Sequence, residues 1–382
     1  MSLADEWGPE KIVCVSDART GMRGVLVLDN TARGMGKGGT RMGPDVSVRE
    51  VFRLARVMTW KWAVADLFFG GAKAGIRFDP ASPRKEDALR AWARAMEKHI
   101  PAEYVAGLDM GLSERDTAII QDELGDRGAA VGTPASLGGV PYDELGFTGF
   151  GVAECADVAA EYAGFPLKGA SVAIQGFGAV GSAAAKRFAE LGAAVTAVST
   201  AAGAIRDPNG LNVARLLELR AEAGDELVRH YGEKERIETG AEIGLDVDVL
   251  VPAARQDVID ERSARELVKA RLVVEGANLP TSPAAREVLR ARGIVVVPDF
   301  VANAGAIVAT ALAMDARYSP IPPDPASTYA LISDKLRANT EAVLVAAQRR
   351  NETPHRAALE IAQKRVHEAM KLRGRAPATA AG

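Results

Sequence analysis

The chain has 382 residues, 48% hydrophobic and 25% charged, which is typical of a soluble protein with two or perhaps three domains. Its formal net charge of −3 gives no reason to expect binding to nucleic acid or to an anionic membrane surface. Two cysteines, four scattered histidines and the lack of a long apolar run argue against a metal site, a disulfide framework and a membrane span. Because no secretory signal is visible either, we expect a cytoplasmic protein without a bound metal.

Two strands and a glycine-rich run open the chain. Residues 11–17 and 23–30 are rich in β-branched side chains and are separated by a short turn, a pattern that predicts a hairpin. The following run, 34–42, places Lys37 among four glycines but lacks the spacing of a phosphate-binding P-loop. On this run alone, a flexible turn with a solvated lysine is as good an interpretation as a binding site.

Two further lysines lie on a helix and on a second glycine-rich run. Ser47 and Glu50 have the spacing of a capping box, and apolar residues recur behind them at helical spacing. Lys61 falls on or beside the apolar face of this helix, where a lysine needs an anionic partner unless only its stem is buried. Lys73 lies in the run 70–75, where glycines allow a bound molecule to approach the backbone closely. The alternative is a solvated lysine in a flexible loop.

Three features end the first half of the chain. A second helix is predicted to begin at Ser82-Pro83. After it, Asp109 stands between two glycines, a setting that by itself predicts only a turn. Residues 128–151 are glycine-rich and show little periodicity, which predicts a long loop that is functional or joins two domains.

The second half begins with a dinucleotide-binding pattern. A predicted buried strand at 171–175 runs into Gly176-Phe177-Gly178-Ala179-Val180-Gly181, and a helix and a second strand follow. Glycines at this spacing permit a tight turn, close approach to a pyrophosphate and close packing of helix on strand. Further strands are predicted at 247–251, 271–274 and 294–297. The chain is therefore expected to be α/β, with a Rossmann-like, doubly wound sheet in this half.

The residues after the second strand bear on the choice of cofactor. Ser199 and Thr200 stand where an acidic residue would hold the ribose of NAD. With no carboxylate to repel a 2′-phosphate, and two hydroxyls to donate to it, we expect use of NADP or dual use of NADP and NAD. Arg206 is a candidate for a contact with the phosphate. Asn278 and Asn303 follow later strands, at the edge where ligands bind in open α/β sheets.

Together these segments resemble the glutamate/leucine/phenylalanine/valine dehydrogenase family. The resemblance is carried by GKGGTRM, MTWKWAVADLFFGGAKAGI, AGLDMG, GGVPYDELGFTGFGV, VAIQGFGAVG, VLVPAA, EGANLPTSP and ANAGAI, which occur in the family's order. It implies two domains, an N-terminal α/β substrate domain and a Rossmann-like NAD(P)-binding domain. We expect residues 1–147 and 315–382 to form the substrate-binding and oligomerisation domain, and residues 148–314 to form the dinucleotide-binding domain.

The resemblance also implies roles for individual residues. Lys73 is expected to be the catalytic lysine and Asp109 its carboxylate partner. Lys61 is expected to pair with the α-carboxylate of an amino acid, and Lys37 with a side-chain carboxylate. Gly107, Thr310 and Asn303 complete the expected substrate contacts. The expected cofactor contacts are Gly176, Phe177, Gly178, Val180, Gly181, Ser199, Thr200, Thr148, Ala253 and Asn278.

The reaction implied is the reversible oxidative deamination of L-glutamate to 2-oxoglutarate and ammonia, with hydride transfer to NAD(P). The alternative is the same reaction on another L-amino acid such as leucine or valine, since the GGTRM segment resembles the leucine branch. Lys37 favours glutamate, because leucine- and phenylalanine-type members carry an apolar residue there. Crowding by other cations would lower the pKa of Lys73 so that it can activate water. The expected assembly is a homo-oligomer, with a hexamer favoured.

Overall fold

The chain is described by a computed structural model over residues 4–232 and 235–376. Its internal contacts divide it into two compact units. The first unit comprises Met1–Pro141, Thr310–Asp324 and Ile361–Gly382, and the second comprises Tyr142–Ala309 and Pro325–Glu360. None of the helices in these described residues combines the length and apolar character that crossing a membrane requires.

The first unit is built on a mixed sheet. Its main elements are β1 (Lys11–Asp17), β2 (Met22–Asn30), β3 (Gly36–Lys37), β4 (Thr40–Gly43), α1 (Val48–Val64), β5 (Gly70–Arg77), α2 (Lys85–Met96), β6 (Tyr104–Val105) and α3 (Glu114–Leu124). The strands follow the order β1-β2-β5-β3-β6, and β4 also pairs with β5. The predicted hairpin is confirmed, because β1 and β2 pair antiparallel across a short turn. The second helix begins at Lys85, with Arg84 as its N-cap, rather than at Ser82.

Both faces of this sheet are covered by helices. Successive side chains of β2 point to opposite faces, and because those in the middle of the strand are apolar, both faces need a partner. Leu26 and Leu28 point into a core that α2 fills with Trp92 and other large apolar side chains. Val25 and Val27 point to the opposite face, where they meet Val51 and Ala55 of α1. Strand β2 is therefore buried from both sides.

Strand β5 corrects the interpretation of the glycine-rich run 70–75. The run is a buried strand rather than a loop. Its glycines make room for a neighbouring helix rather than for a bound molecule. A Cβ atom on Gly71 would lie 1.9 Å from Oγ1 of Thr59, and one on Gly75 would lie 2.5 Å from Cγ2 of Val51. The missing side chains thus let α1 pack directly on the strand that carries Lys73.

The second unit contains the Rossmann-like sheet. Its elements up to the fourth strand are α4 (Tyr142–Leu145), α5 (Phe147–Tyr162), β7 (Ser171–Gln175), α6 (Ala179–Glu190), β8 (Ala194–Thr200), β9 (Gly203–Arg206), α7 (Val213–Ala223), α8 (Leu227–His230) and β10 (Glu235–Ile237). The later elements of the chain are β11 (Val249–Pro252), α9 (Glu261–Glu266), β12 (Leu272–Val274), α10 (Pro283–Ala291), β13 (Val295–Val297), α11 (Asp299–Ala302), α12 (Gly305–Asp315), α13 (Pro325–Arg350) and α14 (Pro354–Leu372).

The strand order of this sheet is β10-β9-β8-β7-β11-β12-β13. Strands β8, β7, β11, β12 and β13 are parallel to one another, whereas β9 pairs antiparallel with β8 and β10 pairs antiparallel with β9. The order reverses between β7 and β11, which is the switch point where open α/β sheets bind ligands. The predicted doubly wound fold is confirmed, with a small antiparallel addition.

The segment 128–151 is not the long loop that its glycines suggested. Much of it is helical, because α4 and the beginning of α5 lie within it. Glycines of α5 serve packing: a Cβ on Gly149 would lie 2.2 Å from the carbonyl oxygen of Val180, and one on Gly151 would lie 2.5 Å from Leu336. Glycine weakens an isolated helix, so only the packing against α6 and α13 explains this element.

The contacts of α13 also correct the expected domain division. The sequence predicts that residues 315–382 all belong to the substrate domain, whereas Pro325–Glu360 belongs to the second unit. The ring of Tyr329 lies 5.0 Å from that of Phe147 and 4.8 Å from that of Phe150. Further along α13, Arg337 forms an ion pair with buried Glu154 of α5 at 3.2 Å. These contacts pack α13 against α5, so α13 belongs to the dinucleotide-binding unit and not to the substrate-binding unit.

Candidate functional site

Lys37 is the most deeply buried of the candidate lysines. It lies on β3, between β5 and β6, and only 2% of it is exposed. Its ammonium donates to the carbonyl oxygens of Val105 at 3.0 Å and Ala106 at 3.2 Å. Burial, assisted by the positive charge of Lys73, lowers the pKa of Lys37 to about 7. The solvated-turn interpretation of this lysine is therefore wrong.

Lys73 and Asp109 form an ion pair. Lys73 lies on β5 opposite Val27 of β2, and its ammonium contacts Oδ2 of Asp109. Asp109 lies in the loop after β6, and its Oδ1 accepts hydrogen bonds from Nε of Arg41 at 2.9 Å and from the backbone N–H of Met110 at 2.7 Å. Burial alone would raise the pKa of this carboxyl, but Lys73 and Arg41 together hold it below its usual value. The carboxylate is thus ionised and fixed at both oxygens.

Arg41 is a member of this cluster that the sequence reasoning did not identify. It lies on β4, and its Nη1 donates to Glu50 of α1 at 2.7 Å, so the guanidinium joins two acids. Strand periodicity is the signal that could have found it, because Gly39 and Arg41 face the same way. A Cβ on Gly39 would lie 2.9 Å from Cβ of Asp109. Both residues therefore face the loop that carries Asp109.

The remaining candidates of the first unit occupy separate elements. Gly107 lies beside Lys37, and its missing side chain leaves the space that the ammonium fills. Lys61 lies in the last turn of α1 and is half-buried. Thr310 lies within α12 and is also half-buried. The structure thus brings Gly107 next to Lys37 and Lys73 next to Asp109, and it places Lys61 on α1 and Thr310 on α12.

The glycine fingerprint of the second unit divides three tasks among three glycines. Gly176 has a φ of +90°, which L side chains rarely adopt, so it makes the tight turn after β7. A Cβ on Gly181 would lie 1.9 Å from the carbonyl oxygen of Gly176, so this glycine lets α6 pack on the turn. A Cβ on Gly178, the N-cap of α6, would meet nothing within 4 Å. The open space at a helix N-terminus suits a pyrophosphate.

The two hydroxyls after β8, which are expected to donate to a 2′-phosphate, have hydrogen-bond partners within the protein. Ser199 Oγ donates to Oε1 of Glu242 at 2.8 Å and accepts from the N–H of Gly176 at 3.0 Å. Thr200 Oγ1 donates to the carbonyl oxygen of Asp225 at 2.7 Å. A buried carboxylate, that of Glu242, therefore does lie at this strand end, supplied from a short 3₁₀ turn far along the chain.

Arg220 is a cation beside the fingerprint that the sequence reasoning also missed. From the last turn of α7, its Nη1 donates to the carbonyl oxygen of Phe177. Among the described residues no carboxylate forms an ion pair with Arg220. Arg206, the candidate from the sequence, lies on β9 with its Nη1 3.5 Å from Glu235. The geometry therefore places Arg220, rather than Arg206, against the fingerprint.

Residues after β11, β12 and β13 form the other side of this half-site. The N–H of Ala253 donates to the carbonyl oxygen of Gln175 at 2.8 Å. Asn303, which ends α11, donates from Nδ2 to Oδ1 of Asn278 at 2.9 Å and to the carbonyl oxygen of Gly276 at 3.3 Å. Thr148 lies in the first turn of α5, whose backbone packs closely against Gly305. The candidate amides thus lie together at the carboxyl edge of the sheet.

The fingerprint and these amides fit a dinucleotide. The turn at Gly176 and the open N-terminus of α6 are the features that binding of a dinucleotide pyrophosphate requires, and the paired amides lie at the carboxyl edge of the same sheet. Among the described residues, no group of three or more His, Cys, Asp or Glu side chains is arranged to hold a metal ion.

Comparisons with known proteins match both halves of the chain. Residues 9–126 match the family model described as "Glu/Leu/Phe/Val dehydrogenase, dimerisation domain". Residues 138–374 match the model described as "Glutamate/Leucine/Phenylalanine/Valine dehydrogenase". The chain is also similar to the hetero-hexameric glutamate dehydrogenase of Thermus thermophilus in its leucine-bound form, with 32% identity and a TM-score of 0.82. That likeness covers 96% of this chain and 90% of the other.

Curated relatives are similar over most of their length. The chain is 42% identical to the glutamate dehydrogenase of Thermotoga maritima, over 74% of this chain and 70% of the relative. It is 36% identical to the NADP-specific glutamate dehydrogenase of Saccharolobus shibatae, over 78% and 74%. It is 34% identical to the NAD-specific enzyme of Staphylococcus aureus, over 92% and 86%. The chain therefore belongs to the glutamate/leucine/phenylalanine/valine dehydrogenase family.

Proposed function

We propose that the protein is an L-glutamate dehydrogenase, which converts L-glutamate reversibly to 2-oxoglutarate and ammonia with hydride transfer to NAD(P). The relatives named above are glutamate dehydrogenases, and the observation that carries the choice within the family is buried Lys37. A buried lysine is costly unless an anion meets it, and a buried carboxylate is costly unless a cation meets it. The same residue therefore favours a side-chain carboxylate and penalises an aliphatic side chain.

The substrate is held by charge. Lys37 would receive the γ-carboxylate, with Thr310 beside it, and Lys61 would receive the α-carboxylate. Gly107 supports this arrangement because its missing side chain gives the Lys37 ammonium its place. The carbonyl oxygens of Val105 and Ala106 orient the Lys37 ammonium, and the N–H group that makes the long 3.5 Å contact with the carbonyl oxygen of Gly38 would turn to the γ-carboxylate.

Lys73 and Asp109 would carry out the proton transfers. Their contact allows a proton to pass between ammonium and carboxylate, so neutral Lys73 would take a proton from a water molecule that adds to Cα of the iminium. The iminium is what remains of the substrate after hydride transfer to NAD(P), and ammonia leaves as the keto acid forms. Arg41 holds Asp109 ionised and oriented toward Lys73. Bound NAD(P) supplies the hydride acceptor, and the protein supplies orientation and electrostatics.

The cofactor-binding residues support use of NADP, with NAD as a second cofactor. Gly176, Gly178 and Gly181 would hold the pyrophosphate, and Phe177 and Val180 lie between them. Arg220 offers a guanidinium next to the fingerprint, as recognition of a 2′-phosphate requires. Relatives include one named NADP-specific and one named NAD-specific. Thr148, Asn278, Asn303 and Ala253 would line the nicotinamide end.

Assembly, location and the roles of the units are part of the same proposal. The first unit would bind the amino acid and form subunit contacts, as the description of its family model suggests. A homo-oligomer, with a hexamer favoured, agrees with the hetero-hexameric Thermus thermophilus enzyme. The second unit, including α13, would bind the dinucleotide. The proposed compartment is the cytoplasm.

The deciding experiment is a substrate panel with both cofactors, followed by absorbance of the reduced nicotinamide. Reductive amination is measured with 2-oxoglutarate, 4-methyl-2-oxopentanoate and phenylpyruvate, each with ammonium and with NADPH or NADH. The proposal expects the highest kcat/KM with 2-oxoglutarate. A preference for the branched keto acid would leave the family chemistry intact but reject glutamate as the substrate.

A further inference from the structure

A buried group of charges at the carboxyl end of β12 has no part in the proposed chemistry. Glu275 directly follows β12, Arg286 lies on α10 and Asp299 begins α11. They are 0%, 6% and 5% exposed. We call these three side chains the buried acid cluster. With both acids ionised, the cluster carries two negative charges and one positive charge.

The positive charge of this cluster is poorly matched to the negative ones. Nε of Arg286 lies 3.7 Å from Oε1 of Glu275, too far for a hydrogen bond. His355 on α14 faces the cluster, but burial and the charge of Arg286 lower its pKa to about 4, so it is neutral near pH 7. Several buried atoms of the cluster have no hydrogen-bond partner among the described residues, namely Glu275 Oε1, Asp299 Oδ1, and Nε and Nη2 of Arg286. Among the described residues, no second cation forms an ion pair with Glu275 or Asp299, so the negative charge of the cluster exceeds its positive charge.

Hydrogen bonds connect this cluster to the two amides of the cofactor half-site. Glu275 Oε2 accepts from the N–H of Asp299, and Asp299 Oδ2 accepts from the N–H of Leu279, both at 2.8 Å. The N–H of Asn303 donates to the carbonyl oxygen of Asp299 at 2.8 Å, and Asn303 bonds Asn278. These hydrogen bonds thus link Glu275 and Asp299 of the cluster to Asn278 and Asn303.

We infer that the buried acid cluster makes the protein distinguish oxidised from reduced nicotinamide, because its excess negative charge stabilises a positively charged ring bound at Asn278 and Asn303, and protonation of Glu275 removes that advantage. This inference rests on the proposed function. The oxidised ring carries a positive charge that the reduced ring lacks, so a fixed negative charge in a buried site affects the two forms differently. The cofactor form and the proton on Glu275 are then coupled.

Glu275 changes its charge near pH 7, where binding of the cofactor can be measured. Burial raises the pKa of Glu275 to about 7, and the charge of Asp299 acts in the same direction while Arg286 opposes it. Oxidised cofactor favours the ionised carboxylate, so its binding near pH 7 releases protons from the fraction of molecules in which Glu275 is protonated. Coupling is reciprocal, so oxidised cofactor also binds more tightly as the pH rises. Reduced cofactor has no such preference.

The test is isothermal titration calorimetry of the full-length protein with NADP⁺ and with NADPH. Each titration is made at pH 7 in two buffers of different ionisation enthalpy, which yields the number of protons released on binding. We expect up to about half a proton more for NADP⁺ than for NADPH. We also expect the ratio of the two Kd values to change about fivefold in favour of NADP⁺ between pH 6 and pH 8.

Three variants separate the cluster from other titrating groups. Glu275→Gln keeps the shape of the side chain and should abolish both the extra proton release and the pH dependence of the Kd ratio. Asp299→Asn removes the charge that raises the pKa of Glu275, so the midpoint of the pH dependence should move to lower pH. Glu154→Gln is the matched control, since Glu154 is also a buried acid of this unit but pairs with Arg187. It should retain the wild-type behaviour.

The outcomes are distinct. Equal proton release with both cofactor forms, or extra release that persists in Glu275→Gln, would overturn the inference and leave the proposed function intact. Failure of the wild-type protein to bind either cofactor form would overturn both. If Glu275→Gln does not fold, the wild-type titrations and the shifted midpoint in Asp299→Asn still decide the question.

Discussion

The Cβ atom that Gly107 lacks would lie 2.6 Å from Nζ of Lys37. Alanine at this position would therefore push the ammonium away from the carbonyl oxygens that orient it. We expect Gly107→Ala to lower kcat/KM for glutamate about tenfold, roughly 1.4 kcal/mol, without changing the KM for the cofactor. Gly43→Ala is the control, because its added Cβ would meet nothing closer than 3.5 Å. An equal loss in the control would show that the effect is not specific to Lys37.

Removing the amine of Lys73 should abolish most turnover. In Lys73→Ala, Asp109 keeps Arg41 as a partner, but no amine remains to activate water. General acid–base groups contribute about a hundred- to ten-thousandfold, so we expect a loss of kcat in that range. Binding of NADP⁺, measured by calorimetry, should persist because the fingerprint lies in the other unit. Turnover within about tenfold of wild type would reject Lys73 as the catalytic lysine.

Arg41 should set the acid limb of the pH profile. It is one of two cations that lower the pKa of Asp109, so Arg41→Gln should raise that pKa and move the acid limb of kcat/KM to higher pH. Arg41→Lys keeps the charge and should restore part of the profile. In Glu50→Gln the contact of Arg41 with Asp109 remains, so the profile should stay in place. A parallel loss of kcat at all pH values in Arg41→Gln would instead indicate a purely structural role.

The sequence predicted those elements whose residues are close together in the chain. The fingerprint could be read because its three glycines are contiguous with a strand and a helix, and the structure gives each glycine one of the predicted tasks. Glycine was misleading where it packs against residues that are distant in the sequence. Gly71 admits Thr59 and Gly151 admits Leu336, so glycines that indicated loops are buried packing positions.

Contacts between residues far apart in the sequence could not be predicted either. No spacing rule connects Ser199 with Glu242, which approach only because a 3₁₀ turn after β10 folds over the end of β8. The buried carboxylate at this strand end therefore comes from a residue 43 positions further along the chain. Arg220 reaches the fingerprint in the same way, through the position of α7.

Arg220 should decide how well the protein uses NADP. A guanidinium against the fingerprint can pair with a 2′-phosphate, which NAD lacks. We expect Arg220→Gln to raise the KM for NADP about tenfold and to leave the KM for NAD nearly unchanged. Arg206→Gln is the matched control on β9 and should alter neither value. Similar losses with both cofactors would mean that Arg220 supports the loop rather than the phosphate.

Lys37 should make binding of a dicarboxylic substrate depend on pH. Burial and the charge of Lys73 lower the pKa of Lys37 to about 7, and only the ammonium form can pair with a γ-carboxylate. The KM for 2-oxoglutarate should therefore rise between pH 7 and pH 9, by no more than about tenfold per pH unit. The KM for 4-methyl-2-oxopentanoate should not follow this dependence, because that substrate lacks the second carboxylate.

The variant Lys37→Leu tests the same residue through activity and stability. We expect it to lose about ten- to a hundredfold in kcat/KM on glutamate and to gain relative activity on aliphatic amino acids. The unfolded chain binds more protons than the folded one between the folded pKa of about 7 and the ordinary value of 10.5, so the free energy of unfolding of the wild type should rise with pH in this window. Urea unfolding at pH 7 and pH 9 should show that rise in the wild type and a smaller one in Lys37→Leu. Should the wild type prefer 4-methyl-2-oxopentanoate and Lys37→Leu keep its activity on glutamate, the ammonium does not meet a side-chain carboxylate, and the glutamate assignment fails.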